Sequence, residues 1–181
     1  VKSNVIEEIL YGDDTVKHIQ IVREPISGVY TNLLELFSCF SFRRGLKERD
    51  MRELYHVKLV LHVDARVLEL DKDKVVRLEE HEESATAETI SVDMNGRNIK
   101  LTQLLSRTES FMGDIKYNGY SASENCCQDF ALCVLLANGL YDETVEAFIK
   151  QDVRDLFSPC MVVSTDFATD CVRWFYNWFR T

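Results

Sequence analysis

Residues 56–78 read HVKLVLHVDARVLELDKDKVVRL. Over 56–63 apolar and polar side chains alternate, the period of a strand with one buried face. Asp64, Ala65 and Arg66 supply a turn, and VLELDKDKVVRL then reads as a second strand. With residues 64 and 65 at the centre of the hairpin, His56 falls opposite residue 73, within two positions of Asp71. Glu69 and Asp71 share the polar face of the second strand, while Leu68 and Leu70 take the other. His56 opens its strand, so its ring can protrude from the sheet end. A carboxylate on the neighbouring strand can fix the tautomer of such a ring. Asp71 is the favoured orienter and Glu69 its rival. Either is also compatible with an ordinary solvated face.

A base needs a partner, and residues 120–140 offer one: YSASENCCQDFALCVLLANGL. A polar stretch turns into an apolar helix at two adjacent cysteines. The spacing predicts a helix from about Cys127 to Asn138, stopped by Gly139. Ser123 and Asn125 are the candidate caps. A thiol in a first helical turn meets free backbone N–H groups and the positive end of the dipole, which lower its pKa. The same N–H groups can hold an oxyanion. Cys127 and Cys126 are both candidate nucleophiles, and both are equally readable as small core residues. Of the other histidines, His18 lies in an early strand and His81 in an acidic stretch. His62 shares a face with His56, but six strand residues separate the two by ~20 Å.

Outward from these stretches, TVKHIQIVR (15–23) reads as a strand. Thr31 caps an apolar helix that ends at RRGLK. TISVDMNGRNIKL reads as a hairpin around Asn95-Gly96, because a tight primed turn wants positive φ at both positions. Thr102 caps QLLSRTESFM, and DETVEAFIKQDVRDLF reads as an amphipathic helix ending before Pro159. Strands come early and helices late, which argues for an α+β fold with an antiparallel sheet packed on the cysteine-bearing helix. The 181 residues are expected to form a single catalytic domain with an aromatic C-terminal segment at 172–181.

The net charge of −9 argues against sequence-independent nucleic-acid binding, which needs cations to displace counterions. The cluster Arg43, Arg44, Lys47 and Arg49 is too short to reverse that. Six cysteines fall mostly inside apolar segments, and VKSNVIEEIL lacks the long apolar run of a signal peptide, so none is expected. A reducing, cytoplasmic compartment is therefore expected. No stretch approaches the ~20 apolar residues of a membrane span. No Cys/His set has zinc spacing, so neither a metal nor a cofactor is expected.

The order His on a strand, acid on the next strand, Cys opening a later helix resembles the circularly permuted papain fold. NCCQDFALCVLLANGL resembles the Asn-Cys-x-x-Phe box of the lecithin-retinol acyltransferase-like superfamily, with Phe130 in the matching place. The segments preceding the His56 strand, LDKDKVV and ANGLYDETVEAFIKQDV are similar too, so the resemblance spans about residues 20–160. Matching on Cys-Gln-Asp-Phe selects Cys127, and matching on Asn-Cys selects Cys126; the first match is longer, through Gln128, Asp129 and Phe130, so Cys127 is the expected nucleophile and Cys126 the alternative. The second histidine that many members carry on the next strand is absent, and an acid stands in that neighbourhood. The resemblance implies a cysteine hydrolase or acyltransferase working through a covalent thioester on an amide, isopeptide or acyl ester. Its substrate would be a protein or a lipid acyl group. Gln128 is then a candidate oxyanion contact. The resembling families include viral and effector members acting in host cells. The competing expectation is a catalytically inactive binding or interaction module of the same fold, with WFYNWF as a contact patch.

Overall fold

The computed structural model describes residues 14–26, 54–64, 66–120 and 125–150. The chain divides into two compact units. One comprises Val1–Glu24, His56–Tyr120 and Glu124–Lys150; the other comprises Pro25–Tyr55, Ser121–Ser123 and Gln151–Thr181. The fold described is that of the first unit. The helix expected after Thr31, the basic cluster, Ser123 and the aromatic C-terminus lie outside the described residues.

The elements in chain order are β1 (Thr15–Pro25), β2 (Tyr55–Val63), β3 (Arg66–Lys72), β4 (Val76–Glu80), β5 (Glu88–Ser91) and β6 (Ile99–Lys100). The helices α1 (Leu101–Met112), α2 (Asp114–Asn118), α3 (Cys127–Ala137) and α4 (Glu143–Ile149) follow. The architecture is α+β: an open antiparallel sheet with helices after it. The strands lie in the order β4-β3-β2-β1-β5, with β6 also on β1. Val63 pairs with Arg66 and Leu59 with Leu70, the register expected from the sequence.

Alternation decides which face is buried. Val57, Leu59, Leu61 and Val63 of β2 join Leu68 and Leu70, Leu78, and Ile19 and Ile21 in one apolar core. Leu104 of α1 and Phe130, Val134 and Leu135 of α3 complete it. Truncating a fully buried residue such as Leu59 to Ala is expected to cost about 2–5 kcal/mol.

Three local expectations are corrected. VLELDKDKVVRL is two strands, not one, because Asp73 Oδ1 accepts from Val75 N at 3.0 Å and turns the chain. β4 folds back on β3 and sets Arg77 opposite Asp71. The Asn95-Gly96 turn does form, with φ of 49° and 69°. Its flanks do not pair with each other, however. β5 pairs with Gln20–Arg23 and β6 with Thr15 and Val16, end to end along the eleven residues of β1. Finally, Lys100 rather than Thr102 occupies the N-cap of α1, and no side-chain cap is needed there because Asp14 O accepts from Leu101 N at 2.9 Å.

α3 ends as its sequence suggests. Gly139 has φ 67°, its N–H reaches Leu136 O, and Leu140 N reaches Leu135 O. These paired bonds satisfy the last carbonyls of the helix. α4 is capped by Asp142, whose side chain accepts from Val145 N at 2.8 Å. It ends at Ile149, and Lys150 turns extended, so the expected single helix does not continue through residue 150.

Candidate active site

β2 carries His56 and β3 carries Asp71. The ladder brings His56 Nε2 within 3.0 Å of Asp71 Oδ2. Arg77 completes the group from β4. Its Nε and Nη2 donate to the two oxygens of Asp71 at 3.1 and 3.0 Å. This bidentate geometry is the strong form of an ion pair. Asp71 is only 6% exposed. Burial alone would raise its pKa, but the bonds from His56 and Arg77 outweigh it and hold the carboxyl at about 2. The carboxylate is therefore ionised throughout the physiological range.

The tautomer of His56 follows from its partner. A carboxylate only accepts, so Nε2 carries a hydrogen, and in the neutral ring Nδ1 then holds the lone pair. Among the described residues Nδ1 has no hydrogen-bond partner. Glu69, the rival orienter, is engaged elsewhere: Lys58 Nζ lies 2.8 Å and His81 Nδ1 3.2 Å from its carboxylate. His81 is thus a paired residue and not the solvated loop residue expected. His62 binds Gln20 Oε1 at 3.0 Å and faces the His18 ring at 5.1 Å, away from the Asp71 group.

Cys126 and Cys127 stand at the start of α3, Cys126 as N-cap and Cys127 as first helical residue. The backbone N–H of Val57, the residue after His56, and the charge of Asp71 both act on the Cys127 thiol. The start of α3 therefore meets the start of β2. The expectation that the dipole lowers the Cys127 pKa is overturned. The hydrogen bond with the Cys126 thiol, then burial, push the Cys127 thiol up, against the Val57 N–H. The lowering falls on Cys126, through the bond from Cys127. The two thiols titrate as a pair, in which the first proton leaves readily and the second does not.

Neither expected cap is confirmed in that role. Asn125 donates through Nδ2 to Lys116 O and Gly119 O, both at 2.7 Å, and accepts from Lys72 Nζ at 3.0 Å. The Cys126 N–H is held instead by Asp129, the third residue of the helix, whose Oδ2 accepts from Cys126 N at 3.1 Å and from the Cys126 thiol at 3.3 Å. This is the return half of a capping box. Lys150 anchors the other oxygen of Asp129 at 2.8 Å. Gln128 is buried in the first turn of α3.

Sequence reading missed Arg77 and Lys72. Lys72 is fully buried, donates to Lys116 O and Asn125 Oδ1, and lies 5.9 Å from the Phe130 ring. Burial lowers its pKa to about 8. The signal was present in LDKDKV, where Asp73 marks a turn and thereby sends Lys72 and Arg77 to opposite faces. Among the described residues no group of three or more His, Cys, Asp or Glu is placed to hold a metal ion, and no helix is long and apolar enough to cross a membrane. Comparison with models of known protein families, with curated proteins and with solved structures finds no match.

Proposed function

We propose that the chain is a cysteine-dependent hydrolase or acyltransferase of circularly permuted papain type. In this reading Cys127 is the nucleophile, His56 the general base and Asp71 the orienter. The observation that carries it is the Asp71–His56 bond through Nε2, together with Cys127 as the first residue of α3. That bond leaves Nδ1 as the proton acceptor.

The raised Cys127 thiol favours a thiol that keeps its proton until attack, which His56 then takes as the sulfur adds. The sulfur adds to the carbonyl carbon of an amide or acyl ester, and the carbonyl oxygen becomes an oxyanion. Backbone N–H groups at the start of α3 and the Gln128 side chain are the proposed donors to it. The carbon–nitrogen or carbon–oxygen bond then breaks, and His56 returns its proton to the leaving group. Water or an amine, deprotonated by His56, attacks the thioester and frees the thiol. Protein isopeptides and lipid acyl groups both fit this chemistry.

The burial of Cys127 favours a second reading, a binding module that keeps the fold without catalysis. The two separate by alkylation. Cys127 labelling by iodoacetamide should slow at least several-fold in His56→Ala if the imidazole is its base. Equal rates in the two proteins favour the binding module.

A further inference from the structure

We propose that Lys72, acting through Asn125, is a positioning residue for the Cys127–His56 pair: it ties the entry of α3 to the strand that orients the base. The inference rests on the catalytic reading and adds to it the group that sets the nucleophile's place.

β3 faces two ways at adjacent residues. Asp71 turns its carboxylate to His56 at 3.0 Å. Lys72, the next residue, points to the opposite side of the strand. There its ammonium donates to Asn125 Oδ1 at 3.0 Å and to Lys116 O. Asn125 immediately precedes Cys126, the N-cap of α3, and Cys127, its first residue. The Asn125 amide nitrogen donates to Lys116 O and Gly119 O, both at 2.7 Å. Lys116 O thus accepts from both side chains, and β3, the end of α2 and the entry of α3 meet at one node. Gly119 lets the chain close on it, since a Cβ there would meet Ile115 O at 2.6 Å. The Lys72 nitrogen also lies 5.9 Å from the ring of Phe130, early in α3.

The chemistry of the node argues for position rather than stability. Lys72 is fully buried, and Asn125 is buried with it. Both acceptors of the ammonium are neutral oxygens, and among the described residues no carboxylate forms an ion pair with it. A buried cation so placed costs stability that an apolar chain of the same length does not. What methionine cannot do at residue 72 is hold the Asn125 amide. Asp129 and Lys150 also restrain the start of α3, but they lie on the helix itself and just beyond α4. The Lys72–Asn125 bond joins that start to the strand carrying Asp71. Proton transfer from Cys127 to His56 needs hydrogen-bond reach, so a shift of about an ångström at this end of α3 is felt in the rate.

The test is a double-mutant cycle on the full chain. The rate is acetylation of Cys127 by p-nitrophenyl acetate, with circular dichroism to report the fold. Lys72→Met should slow acetylation by about 10- to 100-fold, the scale of a misplaced reacting group. In the His56→Ala background the same substitution should change the rate by less than about two-fold, because no base remains to be misaligned with the thiol. Asn125→Ala should show the same coupling, and adding it to Lys72→Met should slow the reaction no further. A merely structural role would slow acetylation equally with and without His56. Equal effects in the two backgrounds, or a His56-dependent rate untouched by Lys72→Met, overturn the positioning role and leave the catalytic reading standing. A rate indifferent to His56→Ala removes the catalytic reading, and this inference with it. Loss of the folded spectrum in both Lys72→Met and Asn125→Ala assigns the node to stability and also overturns the inference.

Discussion

Asp71 binds His56 from one side, at 3.0 Å, while Arg77 holds both of its oxygens from the other. Three strands thus converge on one carboxylate. The pair His56–Asp71 depends on β4 as much as on β2 and β3, because Arg77 keeps the buried charge in place.

Asp71→Asn should lower turnover by about 100-fold or more, the scale on which a misoriented general base is felt. Glu69→Gln should leave turnover within a few-fold, because its carboxylate serves Lys58 and His81. Steady-state rates for both variants, with circular dichroism to show retained fold, check this. Equal losses in the two would remove Asp71 from its special position.

Acid stability should report the same carboxylate. The folded pKa of about 2 lies below the ordinary value of 3.8, so the stabilisation is present above about pH 4. It is lost as pH falls through about 2, a difference of about 2 kcal/mol. Urea unfolding between pH 5 and pH 2.5 should show a steeper loss for the wild type than for Asp71→Asn. Parallel slopes would mean that the Arg77 clamp does not hold in solution.

Lys72 should act with the same sign of slope, in a more alkaline window. Its folded pKa of about 8 lies below the ordinary 10.5, so between these values the unfolded chain binds more protons. Stability contributed by this group therefore rises with pH across that window. Lys72→Met, which keeps length but not charge, should abolish the rise. Persistence of the rise in the variant would assign it to another group.

The two thiols should change places when one is removed. The Cys126 thiol is the first cause of the raised Cys127 pKa, so Cys126→Ser should speed alkylation of Cys127 at neutral pH. Cys127→Ala should raise the Cys126 pKa, because the bond from Cys127 is what lowers it. Site-resolved alkylation rates across pH 6–10, read by mass spectrometry, decide the matter. Unchanged rates would mean that the thiols do not interact.

Much of this arrangement is legible in the chain. The alternation of HVKLVLHV and the turn expected at residues 64 and 65 predict the register that brings Asp71 to His56. The positive φ of Gly139 is equally legible, as only that turn ends the apolar run. What fails is whatever depends on competition between partners. Asp73 can continue a strand or turn it, and its bond to Val75 N decides. Asn125 can cap a helix or tie a loop, and the ammonium of buried Lys72 draws it to the loop. The dipole argument for Cys127 considered one field and omitted the neighbouring thiol and burial, which prove stronger.

The most direct measurement is acylation of the full chain by p-nitrophenyl acetate, followed by intact and peptide mass spectrometry. A rapid burst should place one acetyl group on Cys127 as a thioester. It should persist in Cys126→Ala, slow sharply in His56→Ala and vanish in Cys127→Ala. Acetylation spread equally over Cys126 and Cys127, and indifferent to the loss of His56, would contradict a Cys127–His56–Asp71 site.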